Sequence, residues 1–308
     1  PNDFSLVDKL MDYYDEPYAD SSALPTFRVC ELARENVTVA LSGDGGDEHL
    51  AGYRRYKLQM FEQNLRSKIP SAIRKPIFGT LGSIYPKADW APRIFRAKTT
   101  FQGIARSHFE SYFHGVSILK PEMRQKLYSP KMKSDLQDYT ALEVFNKHAS
   151  ETDTDDPLSM IQYLDIKTYL AGDILTKVDR ASMAYSLEVR VPLLDHELVG
   201  WIATLPSSFK LNNGEGKYIF KKSLEKDLPH DILYRPKMGF RVPLKSWFRN
   251  ELKEKIKSAV LSERMLDSGY FDQGYLTTLI NEHQSGLRDH SAPLWTLMMY
   301  DQFLARHA

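Results

Sequence analysis

The sequence is sparing with the features that would place it in several protein classes. It has one cysteine in 308 residues, Cys30, so an internal disulfide is excluded and a thiol mechanism has a single residue to rest on. That residue lies in PTFRVCELAREN among apolar positions at helical spacing, where it reads as a buried structural thiol rather than a nucleophile. No stretch approaches the ~20 consecutive apolar residues of a membrane-spanning helix. Neither sign of charge dominates. The 41 Lys and Arg face 40 Asp and Glu, a formal charge of +1, which argues against the basic excess behind non-specific nucleic-acid binding. Repeats and low-complexity tracts are absent too. The chain opens on Pro1 with neither an initiator methionine nor a secretory signal, which reads as a piece of a longer, cytoplasmic protein.

What is present begins with apolar periodicity. Phe4, Val7, Leu10, Met11 and Tyr14 recur at three- and four-residue steps and predict an amphipathic helix ending before DEPYADSSALP. A second helix is expected over Pro25 to Glu35. Val37, Val39 and Leu41 then form a short β-branched run that glycines 43, 45 and 46 terminate, so helix, strand and loop make half of an α/β unit. From 57 to about 150 the pattern stays helical, with breaks near Pro70, Pro86, Pro92, Pro121 and Pro130. Leu158, Ile161, Leu164, Ile166 and Leu170 mark long helices that start at Asp155 or Asp156 with Pro157. Only one strand is convincing, so a parallel sheet here must be small or draw on strands outside the sequence.

Four stretches could carry chemistry. In LSGDGGDEHLAGY the glycines let backbone N–H groups approach an anion and Ser42 can donate at the strand end, whereas Asp44, Asp47 and Glu48 repel phosphate unless a magnesium ion bridges the two. Donors and acids together suggest a metal-nucleotide site; a solvated acidic turn is the plain alternative. A Walker loop, a GxGxxG fingerprint and an EF-hand are all excluded. The stretch GDILTKVDRASMAYSLEVRVPLLD sets Asp173 and Lys177 on one helix face, while Asp179, Arg180 and Asp195 also suit salt bridges between helices. NNGEGKYIF turns at Asn213, Gly214 and Gly216 and delivers Lys217 to a helix N-terminus, favourable to an anion; Lys221 and Lys222 read as surface lysines. YRPKMGFRVPLKSWF, with Arg235, Lys237 and Arg241, reads as a basic lid.

These stretches together resemble one family. LSGDGGDEHLAGYRRY is similar to the SG(E/D)G(G/S)DE(L/V)F(A/G)GY signature of the glutamine-dependent asparagine synthetases. EPYADSSALPTF, KVDRASMAYSLEVRVPLLD, GKYIFKKSL and RPKMGFRVPLKSWF resemble other blocks of that family, in its order. The resemblance implies an α/β fold of the adenine nucleotide alpha-hydrolase-like, Rossmann-like HUP type, truncated at its N-terminal side, with a large helical remainder. It would divide into a partial nucleotide-binding core at 1–56, a helical lobe at 57–150 and a helical synthetase region at 151–308.

In function it implies a carbon–nitrogen ligase that uses ATP and Mg2+ to convert aspartate to β-aspartyl-AMP, which ammonia derived from glutamine then amidates. By position, Ser42 and Gly43 would touch the adenylate, Asp47 and Glu48 the metal, and Asp173 and Lys177 the amino acid. Asp44 would face the acyl centre and Lys217 would stabilise the phosphates. A glutaminase domain is an implied partner, and the resemblance admits a homodimer.

The departures are as informative. The family's SGGxDS pyrophosphate loop and its amino-terminal glutaminase are absent, so the expectation is that these residues are inactive alone. His49 and Leu50 replace the usual Leu and Phe. Two alternatives stand beside the leading one: a relative that activates another carboxylate, and a non-catalytic scaffold. The scaffold has no physical need for clustered acids that repel one another.

Overall fold

The computed structural model describes residues 4–85, 97–240 and 242–307. The expected breaks at Pro86 and Pro92, the opening Pro1 and the lid residue Arg241 lie outside the described residues. The first apolar stretch is helical, over Ser5–Lys9 and a 3-10 turn at Leu10–Asp12, and it buries Leu6, Val7, Leu10 and Met11. The next helix runs Ala23–Arg34, starting two residues before the expected point. Pro25 is accommodated there because the first turn has no intrahelical N–H bonds to lose.

Strand β1 is Val39–Leu41. It pairs in parallel with β2, Glu188–Arg190, opposing Val39 to Glu188, Ala40 to Val189 and Leu41 to Arg190. The expectation of a single strand is therefore corrected. Three residues with one apolar member between two charges are too few to display a period of two, so β2 is formed by its partner rather than by its own pattern.

Between 54 and 150 the described chain is helical, and the prolines mostly mark helix starts. Pro70 precedes Ser71–Ile84, while Pro121 and Pro130 open Pro121–Leu127 and Pro130–Leu136. A long rod follows: Pro157–Asp165 is α-helical, Ile166–Leu175 is a π-helix, and Thr176–Met183 is again α-helical. Asp156 is its N-cap, accepting from the Ser159 N–H at 2.7 Å, which decides between the two candidate acids. The wider π turn is uncommon and frequently marks a functional segment; here it carries Asp173.

Farther on, β3, Leu211–Asn212, and β4, Glu215–Gly216, form an antiparallel hairpin. Its turn residues, Asn213 and Gly214, both have positive φ, as a type I′ turn requires. One apolar core joins the first two helices to the C-terminal ones through residues such as Phe27, Phe248, Trp295 and Met298. A smaller core of Ala51, Tyr56, Tyr112, Leu158 and Ile161 seats the rod against the middle helices. The acidic loop lies between these cores, at the carboxyl end of β1, where open α/β sheets bind ligands.

Candidate functional site

Ser42 continues β1 for one bond, its N–H donating to Arg190 O at 2.8 Å, and its hydroxyl donates to Asp44 Oδ2 at 2.5 Å. The three glycines of the loop separate by what lies in front of them. A Cβ on Gly45, where φ is +82°, would stand 2.1 Å from Leu194 Cδ2, and one on Gly46 would meet Leu193 Cδ1 at 2.6 Å. Those two are glycine for packing and backbone conformation. Gly43 faces open space, with no heavy atom within 4 Å of its Cβ position, so of the three it alone leaves room in front of the backbone.

The neighbouring acids diverge. Asp47 Oδ1 lies 3.1 Å from Lys217 Nζ, and Lys237 Nζ binds its other oxygen. Burial opposes ionisation of Asp47, but the two ammonium groups prevail and hold its carboxyl below the usual range. Glu48 is 1% exposed and accepts from the Tyr53 hydroxyl at 2.6 Å; burial pushes its carboxyl up. Among the described residues no group of three or more His, Cys, Asp or Glu is disposed to hold a metal. Magnesium bound with nucleotides commonly takes only one or two carboxylates beside phosphate oxygens. Asp47, which faces the cleft, suits that donor set; Glu48, sealed against Tyr53, does not.

The helix-borne pair forms a second centre. Lys177, itself buried, places Nζ 2.6 Å from Asp20 Oδ2, 2.8 Å from Ser22 Oγ and 3.8 Å from Asp173 Oδ1. Asp173 accepts from the Tyr18 hydroxyl at 2.6 Å. Burial first, and the charge of Asp20 second, push its carboxyl up to about 6. Asp20 moves the other way: burial opposes its charge, but Lys177 and Ser22 outweigh it. Two carboxylates thus share one ammonium, leaving this centre net negative once both are ionised.

Lys217 sits where the hairpin enters its helix, with φ +56°. Its N–H donates to Leu50 O at 2.7 Å, and Cβ atoms on Gly52 or Gly216 would collide with Asp47 Oδ1 or Ala51 O. The hairpin therefore packs backbone to backbone on the acidic loop, which aims the lysine at Asp47. From the lid segment Lys237 reaches the same carboxylate and lies 4.6 Å from the centre of the Tyr53 ring. A cleft of about 560 Å³ joins Ser42, Asp44, Asp47, Tyr53, Lys177 and Lys237. It meets a second space of about 740 Å³, lined by Lys217, Lys221 and Arg235, at Asp47, Lys237 and Met238.

Of the site residues expected from the sequence, Ser42, Asp44, Asp47, Lys177 and Lys217 line this double cleft; Gly43 adjoins it beside Ser42, Asp173 meets it through Lys177, and Glu48 is buried against Tyr53. Of the residues expected in salt bridges between helices, Arg180 pairs with Asp15, whereas Asp195 caps the His196–Thr204 helix. The two expected surface lysines are in ion pairs, Lys221 with Glu215 and Lys222 with Glu225. Cys30 is buried and burial raises its thiol pKa, as a structural residue requires. Sequence reasoning missed Tyr18, Asp20 and Ser22 as partners of the helix pair. Their only local signal is the Asp20–Ser22 turn, with Ser22 N donating to Asp20 Oδ1 at 2.9 Å.

The family model described as Asparagine synthase matches residues 2–305. Asparagine synthetase (glutamine-hydrolyzing) 1 of Bacillus subtilis is 30% identical over 299 residues, covering 95% of this chain and 44% of that protein. Asparagine synthetase (glutamine-hydrolyzing) 3 of the same organism is 41% identical over 90 residues, 29% of this chain and 14% of that protein. Amidase chyE of Penicillium rubens is 25% identical over 279 residues, covering 83% and 40%. The chain spans less than half the length of these curated relatives. With the match extending over nearly all its residues, the chain belongs to the asparagine synthase family.

Proposed function

We propose that this chain is the synthetase part of an enzyme that activates the side-chain carboxylate of aspartate with ATP and transfers ammonia to it. The observation that supports this most is the polarity of one continuous cleft. At one end Asp20 and Asp173 outnumber Lys177, which suits a substrate carrying an ammonium group; at the other Lys217 and Lys237 outnumber Asp47, which suits phosphates. Ser42, Gly43 and Asp44 lie between them.

In the first step a carboxylate oxygen attacks the α-phosphorus and the bond to the β-phosphate oxygen breaks, releasing pyrophosphate. Lys217 and Lys237 are fixed where that negative charge develops. In the second step ammonia attacks the acyl carbon, AMP departs with the C–O electrons, and Asp44, oriented by Ser42, takes a proton from the nitrogen. Mg2+, if bound with the nucleotide, would be held by Asp47 and would neutralise phosphate charge.

We place the fold in the HUP type and assign the remaining parallel strands, the pyrophosphate loop and the glutaminase to sequence outside these 308 residues. Residues 1–56, 57–150 and 151–308 serve as partial nucleotide core, helical lobe and synthetase region. Two features support this. The relatives are more than twice as long, and β1 exposes Leu41 at 74%, whereas parallel strands are normally covered on both faces. The chain alone is accordingly expected to be inactive.

The test is pyrophosphate release from ATP by the protein carrying this chain in its full length, with ammonia as nitrogen donor. Release that depends on aspartate is the expected result. Release only with a different acid would favour the second reading, a relative acting on another carboxylate, which the amidase name of the Penicillium protein keeps in view. No release with any carboxylate would leave the scaffold reading.

A further inference from the structure

A separate cavity of about 240 Å³, sharing no lining residue with the cleft, adjoins the acidic loop at His49. Its lining includes His49, Thr152, Thr154, Gln162 and Lys210, and no Asp or Glu. Lys210 is 4% exposed and His49 7%. Neither side chain makes a hydrogen bond or ion pair among the described residues, although burying an unpaired ammonium is costly. Their nitrogens are also not among the polar atoms that are both unpartnered and sealed from solvent, so the little surface they retain opens on the cavity. Asp156 acts on Lys210 only at longer range; its carboxylate is engaged by Ser207 Oγ at 2.5 Å and Ser159 N at 2.7 Å. Two hydroxyls complete the wall. Thr152 Oγ1 accepts from Thr154 N at 3.4 Å, and Thr154 Oγ1 from Asp156 N at 3.2 Å, which leaves both O–H protons to donate.

We infer that this cavity is a binding site for a small oxyanion, held by Lys210, His49 and the two threonine hydroxyls. A cation is disfavoured because the wall carries Lys210 and His49 and no carboxylate. Size favours an ion over a nucleotide, the space being smaller than the ~300 Å³ typical of the smallest ligand pockets. Occupancy would be felt at the acidic loop, since Gln162 in the same wall donates through Nε2 to Glu48 O at 2.6 Å and His49 O at 2.9 Å. His49 immediately follows the acidic pair, so an anion that orders its ring also fixes the end of the helix bearing Asp47. The site stands whether or not the cleft activates aspartate.

Inorganic phosphate is the probe, titrated by calorimetry into the purified protein and into the variants K210M, H49L and K217A. Saturable one-to-one binding is expected, weakened at least tenfold by K210M and by H49L and retained by K217A, whose lysine lies in the cleft. Phosphate should also raise the melting temperature of the wild type and K217A but not of K210M, which reads out binding even if one variant is less stable. Binding lost in K217A and kept in K210M would assign the anion to the cleft and overturn the inference. So would the absence of saturable binding to the wild type, which would mean that water alone fills the cavity.

Discussion

Asp44 and Asp47 stand three positions apart and are held differently, so their substitutions should separate the two half-reactions. Among the described residues Asp44 is bound by Ser42 alone, and Asp44→Ala should slow amide formation by about 10²–10⁴-fold, the usual worth of a general base. Pyrophosphate release should be much less affected; equal loss in both assays would contradict the proton-acceptor role. Lys217→Ala should instead lower pyrophosphate release by about 10²–10³-fold, the cost of removing one preorganised charge stabiliser.

Asp173 gives a pH signature. Its carboxyl is raised to about 6, against ~3.9 when unperturbed, so the native state keeps a proton that the unfolded chain has lost between roughly pH 4 and 6. Its contribution to stability therefore falls as pH rises through that window. Substrate ammonium binding gains over the same interval, because only the ionised carboxylate attracts it. KM for the amino-acid substrate should fall as pH rises through about 6, and in Asp173→Asn that step should disappear while a step of different origin would persist.

At the level of elements, backbone contact between the loop and the β3–β4 hairpin places Lys217. Gly216→Ala puts a methyl group 2.1 Å from Ala51 O, a backbone atom that cannot rotate away. A loss of about 1–3 kcal/mol is expected, as for other overpacked sites, measurable by urea unfolding. Gly43→Ala is the complementary case. Nothing in the fold obstructs it, so stability should stay within ~0.5 kcal/mol, as at ordinary unpacked positions, while ATP affinity falls about tenfold, or ~1.4 kcal/mol. Unchanged affinity would show that the open space before Gly43 is not where nucleotide lies. The π-helix works at this scale too. It alters the rotation of the rod between Asp165, which faces the middle helices, and Asp173, which faces Tyr18 and Lys177.

For the whole molecule, the joint between the middle helices and the rod is a buried charge network. Arg55 Nη2 lies 2.7 Å from Asp165 Oδ2, and the hydroxyl of Tyr56 donates to the same oxygen at 2.5 Å. The guanidinium is also 4.0 Å from the centre of the Tyr53 ring and 4.4 Å from that of Tyr169. Asp165→Asn should cost about 3 kcal/mol, because it leaves a largely buried cation without its counter-charge. A denaturation midpoint equal to that of the wild type would show that the joint is held by the apolar contacts of Tyr56, Tyr112 and Ile161 alone. None of the described helices is long and apolar enough to cross a membrane.

What the sequence by itself determined is what local chemistry governs: the first two helices from apolar periodicity, the start of the rod from Pro157 and an acid just before it, and the strand-to-glycine break at Leu41. The acidic loop, Lys177 and Lys217 stood out for the same reason, since each is an unusual residue type beside a turn or at helical spacing. Tertiary structure decided the rest, because it depends on residues distant in sequence. β2 exists by pairing with β1. Lys177 acquires Asp20 from 157 positions away, and Asp47 acquires Lys237 from 190 positions away. Glu48 was separated from Asp47 because consecutive side chains on a helical turn point in different directions; one entered the cleft and the other was buried against Tyr53.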